Sequence, residues 1–508
     1  MDGQAHVGRG ALRRLSSRRQ PGLVRDARGG IAARLVLLVI LIVVAASIAL
    51  YVDRRTDVAD SPPAQLPQPS ATSGEPPLVT PGLELDAPPP ARSVLPTVDP
   101  AAPSNASATA LRRALRNTLT APALGSHVGF AVAELGAAEP ILTSGASDAV
   151  TPASTLKLLT TTAALQSLGP EHRFTTSVVS DGESDALVLV GGGDPLLTDV
   201  RPAPSEEAVS SPNQAALEDL AARTARRLRS NGIRTVSLTY DDSLFTGPAV
   251  NPAWEPDYVP ESIVSPISAL WIDEGRIDPE GATRVLDPAR EAAQRFAELL
   301  AKRGIQVRGT VQSGRASAQA KELARVESAP LAEIVQHIIE SSDNEAAEVL
   351  LRHVAVASGL PGSFVQGVKA MTTTLEGVGV DLAGARISDG SGLSRRSVVP
   401  VQALVAVLQL AADEDQPQLR SVVASLPVAG FNGSLASRFV ATPSAGLGMV
   451  RAKTATLTGV HGLAGTVTTR GGSVLVFALV ADQVPVRLTL AARAQLERVA
   501  SALSNCPC

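Results

Sequence analysis

A proline-rich stretch separates the chain into parts that cannot belong to one folded body. Thirteen prolines fall between Pro62 and Pro103, with alanine, serine and threonine between them. Such a composition cannot bury enough apolar surface to form a core, and proline favours extended backbone. We therefore predict a stiff linker over residues 53–107 and expect the folded part of the chain to begin near Ala108.

The residues before the linker predict a membrane segment. Residues 1–34 contain eight arginines and two aspartates, and residues 35–52 contain no charged residue. Eighteen such residues are just long enough to cross a bilayer as a helix, and the arginine excess places the N-terminus in the cytoplasm. We interpret residues 35–52 as an uncleaved anchor, and a cleaved signal peptide is the alternative. Both interpretations export everything after Val52.

The composition of the chain excludes several classes of function. The net charge is −4 and aromatic residues make up 3% of the chain, so neither a basic surface nor base-stacking side chains indicate nucleic-acid binding. The two cysteines, Cys506 and Cys508, are too few for a disulfide framework or a zinc site. We expect them to form a frayed tail without a structural role.

The segment that begins at Thr151 predicts a helix that carries a nucleophile and its base. Thr151 can cap the helix and Pro152 suits its first position, so Ser154 and Lys157 share one face. A serine hydroxyl needs a nearby base, and lysine can be that base only when its pKa falls. Arginine cannot replace it, because it stays protonated. Alone, the Ser-x-x-Lys pattern is a weak signal, since it occurs by chance in most long proteins.

A second pair of polar residues lies between two predicted helices. Apolar residues at helical spacing predict one helix over residues 330–340 and another from Glu345 to Val356. Ser342 and Asn344 therefore occupy a tight link, where short polar side chains can point at a cleft. The alternative is that they only cap the second helix.

The remaining pattern predicts an α/β (α+β) fold in which one domain interrupts another. Three strands near the C-terminus form an antiparallel sheet that a strand near Val128 joins, and a long mixed region lies between them. We divide the folded part into a catalytic domain, residues 108–173 and 326–508, and an inserted α/β domain, residues 174–325. The predicted strands cover 127–134, 177–179, 186–190, 235–239, 307–311, 450–458, 463–467 and 474–480, and further helices cover 214–229, 288–303 and 486–503.

Two other features are interpreted as structural. The glycine run at residues 191–195 lacks the surrounding pattern of a phosphate-binding loop, so we predict a tight turn. The six histidines show no pairing with a serine and an aspartate, and no Gly-x-Ser-x-Gly occurs. We therefore expect each histidine, including His461 near the last motif, to be a surface or core residue.

Lys453, Thr454 and Ala455 lie on the first of the C-terminal strands. With Ser154-x-x-Lys157 and Ser342-Asp343-Asn344 they follow the order of the three motifs of penicillin-binding proteins and serine β-lactamases, which the chain resembles from about Ala108 to Leu503. The 188 residues between the first two motifs narrow the resemblance to the D-alanyl-D-alanine carboxypeptidase/endopeptidase family, the class C low-molecular-mass penicillin-binding proteins. Further matching stretches are Gly192-Gly193-Asp194-Pro195, Trp254, Asp389-Gly390-Ser391-Gly392-Leu393, Ser425-Leu426-Pro427 and Gly433-Ser434-Leu435.

This resemblance implies a penicillin-binding-protein/β-lactamase-like transpeptidase domain and a role for each residue of the motifs. Ser154 attacks the carbonyl of the penultimate D-alanine of a peptidoglycan stem peptide and forms an acyl-enzyme, with Lys157 as the base. Ser342 relays the proton toward the leaving group. Asn344 hydrogen-bonds substrate and Lys157. Lys453 keeps the site positive and lowers the pKa of Lys157.

The resemblance also implies how the substrate is held. Thr454 binds the terminal carboxylate, and the backbone N–H groups of Ser154 and Thr456 form the oxyanion hole. No metal or organic cofactor is implied, and β-lactam antibiotics are the expected inhibitors. Two alternatives remain, a β-lactamase or esterase on the same scaffold and a catalytically weak, anchored cell-wall-binding protein.

Ala455 departs from the family, which usually has glycine at this position. Strand alternation places Ala455 and Lys453 on one face of the strand. The added methyl group either displaces the strand, so that the enzyme is active but slow, or is absorbed by a small neighbour.

Overall fold

The computed structural model describes residues 108–507 except 138, 146–147, 181–184, 202–211, 278–282 and 441–443. The predicted cytoplasmic tail, membrane segment and linker therefore lie outside the described residues. Among the helices of the described part, none has the length and apolar character needed to cross a membrane.

Helices and short strands alternate along most of the described chain, which confirms the mixed α/β class. The α-helices are α1 (Ala108–Leu115), α2 (Leu156–Leu168), α3 (Leu217–Ser230), α4 (Pro288–Lys302), α5 (Leu331–Ser341), α6 (Asn344–Ala357), α7 (Phe364–Gly377), α8 (Val401–Ala412), α9 (Arg420–Ala424) and α10 (Thr489–Ser504). The strands are β1 (Val128–Glu134), β2 (Leu142–Ser144), β3 (Ala149–Val150), β4 (Thr175–Ser180), β5 (Ala186–Val190), β6 (Thr235–Asp241), β7 (Gln306–Val307), β8 (Gln312–Ser313), β9 (Lys321–Glu327), β10 (Val399–Pro400), β11 (Val450–Leu457), β12 (Val460–Thr468) and β13 (Val474–Ala481).

The first sheet is antiparallel and joins the two ends of the folded chain. Its strand order is β11-β12-β13-β1-β2, and Val128 pairs with Ala481. Alternate residues of each strand enter separate cores, as the side-chain period of a strand requires. Ala131 packs with the α8 side and Phe130 with the α10 side. The predicted antiparallel sheet and the position of the strand near Val128 are thus confirmed.

A second sheet has its own hydrophobic core and runs from Thr175 to Glu327. Its order is β7-β6-β5-β4-β9, with β8 also paired to β6. Strands β5, β6 and β7 are parallel, β4 is antiparallel to both neighbours, and α3 and α4 share the core. One prediction was wrong here, because residues 307–311 do not form a single strand. Gly309 has φ +74°, which breaks the extended backbone between β7 and β8.

Cys506 belongs to the core rather than to a frayed tail, and Cys508 lies outside the described residues. Cys506 is 1% exposed, packs with α10 and is disulfide-bonded. Its backbone N–H donates to the carbonyl of Leu503 at 3.1 Å. The expectation that this cysteine has no structural role was therefore wrong, because a small apolar side chain completes the core at the end of the helix.

Candidate active site

Ser154 lies in a short turn that precedes α2. The turn is a 3-10 helix, Ala153–Thr155, and α2 begins only at Leu156, so Thr151 does not cap it as predicted. Instead, the Thr151 N–H donates to Asp482 Oδ2 at 2.8 Å. Ala153 has φ +45°, a strained conformation for a residue with a side chain. Strain of this kind persists only where the surroundings hold it.

Lys157 contacts three acceptors at the bottom of the site. Its Nζ lies 3.1 Å from Ser154 Oγ, 2.7 Å from Asn344 Oδ1 and 2.8 Å from the Ser391 carbonyl oxygen. The side chain is fully buried, and burial lowers the pKa of Lys157 to about 8, against the opposing effect of nearby carboxylates. A substantial fraction of this amine is therefore neutral near physiological pH and can accept a proton from Ser154.

The link between α5 and α6 brings Asn344 to the lysine. Ser342 has φ +67°, a left-handed conformation that turns the chain sharply, and Asp343 Oδ1 accepts from the Ala346 N–H as the cap of α6. Asp343 is therefore the residue that caps α6, and the Asn344 side chain hydrogen-bonds to Lys157 instead. Within the described chain the Ser342 hydroxyl has no hydrogen-bond partner, so its predicted relay role stays a prediction.

The third motif lies on β11, an edge strand that contacts the Ser154 turn. Lys453 is fully buried, and its pKa is lowered first by burial and then by the charge of Lys157. Burial, rather than Lys453, is therefore the main cause of the lowered pKa of Lys157. Thr454 Oγ1 donates to Ser434 Oγ at 2.9 Å, and Thr456 is exposed. The structure thus brings the three motifs together around Ser154.

Glu348 is an important residue of the site that the sequence analysis missed. Its carboxylate accepts from the N–H groups of Gly390 and Ser391 at 3.0 and 2.8 Å and from the Ser391 hydroxyl. The Ser391 carbonyl in turn accepts from Lys157. Burial raises the pKa of Glu348. The signal in the sequence was a carboxylate four residues after Asn344, on the same face of the helix.

The Asp389–Leu393 stretch and Trp254, which carried part of the family resemblance, meet each other. Trp254 Nε1 donates to Asp389 Oδ2 at 3.2 Å, and the Ser394 N–H and Ser397 hydroxyl donate to the same carboxylate. The Gly392 backbone is so close to Ala153 that a Cβ there would lie 1.9 Å from the Ala153 oxygen. This loop therefore supports both the serine turn and the lysine.

The glycine run is close-packed but irregular over residues 191–194, and a turn begins only at Pro195. A Cβ at Gly192 would lie 1.8 Å from the Thr175 oxygen, and the Gly193 carbonyl accepts from His353 Nε2 at 2.8 Å. His353 is buried and stacked on Phe174, and burial lowers its pKa to about 4. This histidine is a core residue, in agreement with the sequence interpretation.

One group of side chains has the composition of a metal site. Glu274, His337 and Asp343 place their ligand atoms within 4.8 Å of one another. However, Arg276 already donates to Glu274 Oε2 at 2.8 Å, and a guanidinium at this distance repels a second cation. We therefore do not assign these residues as metal ligands.

Comparison with known proteins agrees with the geometry. The model of the D-Ala-D-Ala carboxypeptidase 3 (S13) family matches residues 111–283 and 279–503. Carboxypeptidase DacB of Mycolicibacterium smegmatis is 34% identical over 484 residues, which cover 94% of this chain and 97% of the relative. D-alanyl-D-alanine carboxypeptidase of Actinomadura sp. is 30% identical over 450 residues, and the match covers 72% of this chain and 79% of the relative. Penicillin binding protein 4 of Haemophilus influenzae has a similar fold, with TM-score 0.63 and 22% identity over 77% of this chain and 98% of that one.

Proposed function

The chain belongs to the D-Ala-D-Ala carboxypeptidase 3 (S13) family, and from this premise we propose how it acts as a serine-type D-Ala-D-Ala carboxypeptidase. The observation that carries the proposal is the buried Lys157 amine, 3.1 Å from Ser154 Oγ and 2.7 Å from Asn344 Oδ1. A base at this distance is within reach of the proton that the nucleophile must lose.

Acylation begins when the neutral Lys157 amine takes the proton of the Ser154 hydroxyl. Ser154 Oγ then bonds to the carbonyl carbon of the penultimate D-alanine, and the backbone N–H groups of Ser154 and Thr456 hold the resulting oxyanion. As the oxyanion collapses, the C–N bond breaks, and the proton held by Lys157 passes through Ser342 to the leaving D-alanine amine, which leaves Lys157 neutral again. Water then attacks the ester, which releases the shortened peptide as a carboxylate and restores the Ser154 hydroxyl.

The substrate is a peptidoglycan stem peptide, and β-lactams acylate the same serine. The terminal D-alanine carries a carboxylate, and Thr454 on the edge strand is the residue that we assign to it. Two features support this assignment, namely the partly exposed Thr454 hydroxyl beside Ser434 and the buried Lys453 next to it. No cofactor takes part in these steps.

Penicillin labelling tests the proposal directly. A fluorescent penicillin should label the wild type and leave Ser154→Ala unlabelled, and mass spectrometry should find the adduct on the Ser154 peptide. Equal labelling of both proteins would overturn the proposal. Rapid loss of the label by hydrolysis would instead support the β-lactamase alternative. The wall-binding alternative requires a dead site, and the reach of Lys157 to Ser154 argues against it.

We also propose that the enzyme is held at the outer face of the cell membrane. Support comes from the sequence alone, namely the arginine-rich residues 1–34, the uncharged residues 35–52 and the proline-rich linker. Protease added to intact spheroplasts should cut within residues 53–107 and release a soluble, penicillin-labelled domain. Full protection of that domain would contradict the proposed topology.

A further inference from the structure

A turn between β6 and α4 places one acidic side chain, that of Glu274, against the Ser342–Asn344 link. Glu274 lies in a turn in which both Asp273 and Glu274 have left-handed backbones, φ +48° and +56°. Two hydrogen bonds hold this turn, from Ser265 Oγ to the Glu274 carbonyl at 2.5 Å and from Thr198 Oγ1 to Asp273 Oδ1 at 2.6 Å. Two adjacent residues in this conformation are costly, so the surrounding structure must stabilise the turn.

The Glu274 side chain ends against the carboxylate of Asp343. Glu274 Oε2 accepts from Arg276 at 2.8 Å, and carboxyl oxygens of Glu274 and Asp343 lie within 4.8 Å of one another. Asp343 already accepts from His337 Nε2 at 3.1 Å and from the Ala346 N–H at 2.9 Å. Two carboxyl groups can share a hydrogen bond only if one of them carries a proton. Burial raises the pKa of Glu274, whereas the hydrogen bond from His337 holds the pKa of Asp343 low against the effect of its burial, so a proton shared by the two groups lies on Glu274.

A second contact joins the same two parts of the chain. Arg284 forms a buried ion pair with Glu345 at 2.8 Å, and the Ser265 N–H donates to the same carboxylate. Asp343 and Glu345 flank Asn344, whose side chain meets Lys157. The three residues at the start of α6 are therefore fixed from one side by this neighbouring region and from the other by the catalytic lysine.

We propose that Glu274 is a positioning residue, which donates a hydrogen bond from its protonated carboxyl group to Asp343 and thereby holds Asn344 against Lys157. The inference rests on the proposed function, since it concerns the same site. Glu274 contacts no reacting atom and acts only through the Ser342–Asn344 link.

The proposal predicts an alkaline limit to activity. Burial and the neighbouring carboxylates of Asp343 and Glu345 raise the pKa of Glu274, while Arg276 acts in the opposite direction. When Glu274 loses its proton, two negative charges face each other and the hydrogen bond is lost. The other polar side chains here are His337, which already hydrogen-bonds to Asp343, and Arg284, which is paired with Glu345, so neither can replace it. The Ser342–Asn344 link then becomes more mobile, and the Asn344 side chain no longer holds the Lys157 amine in position.

The test compares four proteins by their rate of acylation with fluorescent penicillin from about pH 6 to about pH 10. Glu274→Gln keeps a donor for Asp343 but cannot ionise, so it should acylate close to the wild-type rate at neutral pH and lack the alkaline decline. Glu274→Ala loses the donor and should be slower by about tenfold or more at neutral pH. Glu298→Gln, an exposed glutamate of α4, is the matched control and should follow the wild type.

Two results would overturn the proposal, namely a Glu274→Ala protein that acylates like the wild type, or an alkaline decline that persists in Glu274→Gln. Hydrogen exchange of residues 341–346 supplies a measurement that needs no acylation. Exchange should be faster in Glu274→Ala, and equal exchange in both proteins would also refute the positioning role. If the wild type is never labelled, the proposed function fails while the exchange experiment still decides on Glu274. If Glu274→Ala does not fold, the pH profile of Glu274→Gln decides alone.

Discussion

The methyl group of Ala455 lies directly across the β11–β12 pair from Gly462. The two residues are register partners, and a Cβ placed on Gly462 would be 3.3 Å from the Ala455 Cβ. Ala455 is 3% exposed and belongs to the core that contains α2. Of the two outcomes considered from the sequence, the structure therefore favours the one in which a small neighbour absorbs the methyl group.

Ala455→Gly should leave the rate of penicillin acylation within about twofold of wild type and lower the unfolding free energy by about 1 kcal/mol. The reason is that glycine removes a packed methyl group and loosens the strand, without changing how β11 pairs with β12. Acylation kinetics and urea unfolding measure the two effects. A several-fold faster acylation would show that the methyl group does strain the site.

The control adds a methyl group to the partner residue, Gly462, instead of removing the one on Ala455. A Cβ at Gly462 would lie 3.0 Å from the Leu479 oxygen and 3.1 Å from Val480 Cγ2, so Gly462→Ala should destabilise the protein by overpacking. Adding Ala455→Gly to that variant should regain part of the lost stability. Simple addition of the two losses would mean that the residues do not interact.

The rate of acylation should rise with pH as Lys157 loses its proton. Because its pKa is lowered to about 8, the neutral base becomes more abundant as pH increases and predominates above that value. We expect a rise of about tenfold per pH unit well below the pKa. Lys157→Arg keeps the charge but cannot supply a neutral base, so acylation should fall by about 10²- to 10⁴-fold at and above that pKa, and by less at lower pH, where the wild-type lysine is itself protonated. An arginine variant within a few-fold of wild type would place the base elsewhere.

Glu348→Ala should destabilise the protein and slow acylation together. It leaves the buried N–H groups of Gly390 and Ser391 without an acceptor, at a cost of about 2–4 kcal/mol. It also frees the Ser391 carbonyl that holds Lys157. Glu348→Gln keeps one acceptor oxygen, so it should lose less stability and less of the acylation rate than Glu348→Ala. Exposed Glu333 on α5 is the control, and Glu333→Ala should change neither unfolding nor acylation.

Breaking the Arg284–Glu345 ion pair should be far more costly than breaking an exposed one. Both side chains of this pair are nearly buried, so Arg284→Ala leaves an unpaired charge and should cost about 3–5 kcal/mol. Arg290→Ala breaks an exposed pair with Asp287 and should cost less than about 1 kcal/mol. Denaturant unfolding compares them. Removing Arg284 and Glu345 together should cost less than removing Arg284 alone, and a larger loss would contradict this account.

The sequence was informative where a function depends on residues close to one another along the chain. Ser154 and Lys157 lie three residues apart, and Asn344 is the first residue of α6, close after the amphipathic α5, so local periodicity predicted their positions. The roles of Ser391 and Glu274 depend on contacts between segments far apart in the chain, which no local pattern encodes. The start of α2 was misplaced for a related reason, since the left-handed Ala153 is held by Gly392 from a distant loop.

The pairing of β1 with β13 has a consequence for biosynthesis. His127 Nδ1 and Asp482 Oδ1 lie 2.6 Å apart although 355 residues separate them in sequence. During translation β1 therefore leaves the ribosome long before its partner, whereas the sheet between Thr175 and Glu327 can close much earlier. Contacts so distant in sequence form slowly, because bringing the two segments together costs chain entropy before their contacts can form. Since β11 is also made late, a truncated chain that contains Ser154 but ends before β11 lacks Lys453 and the strand that contacts the serine turn. The three motifs can meet only after β11 has been synthesised.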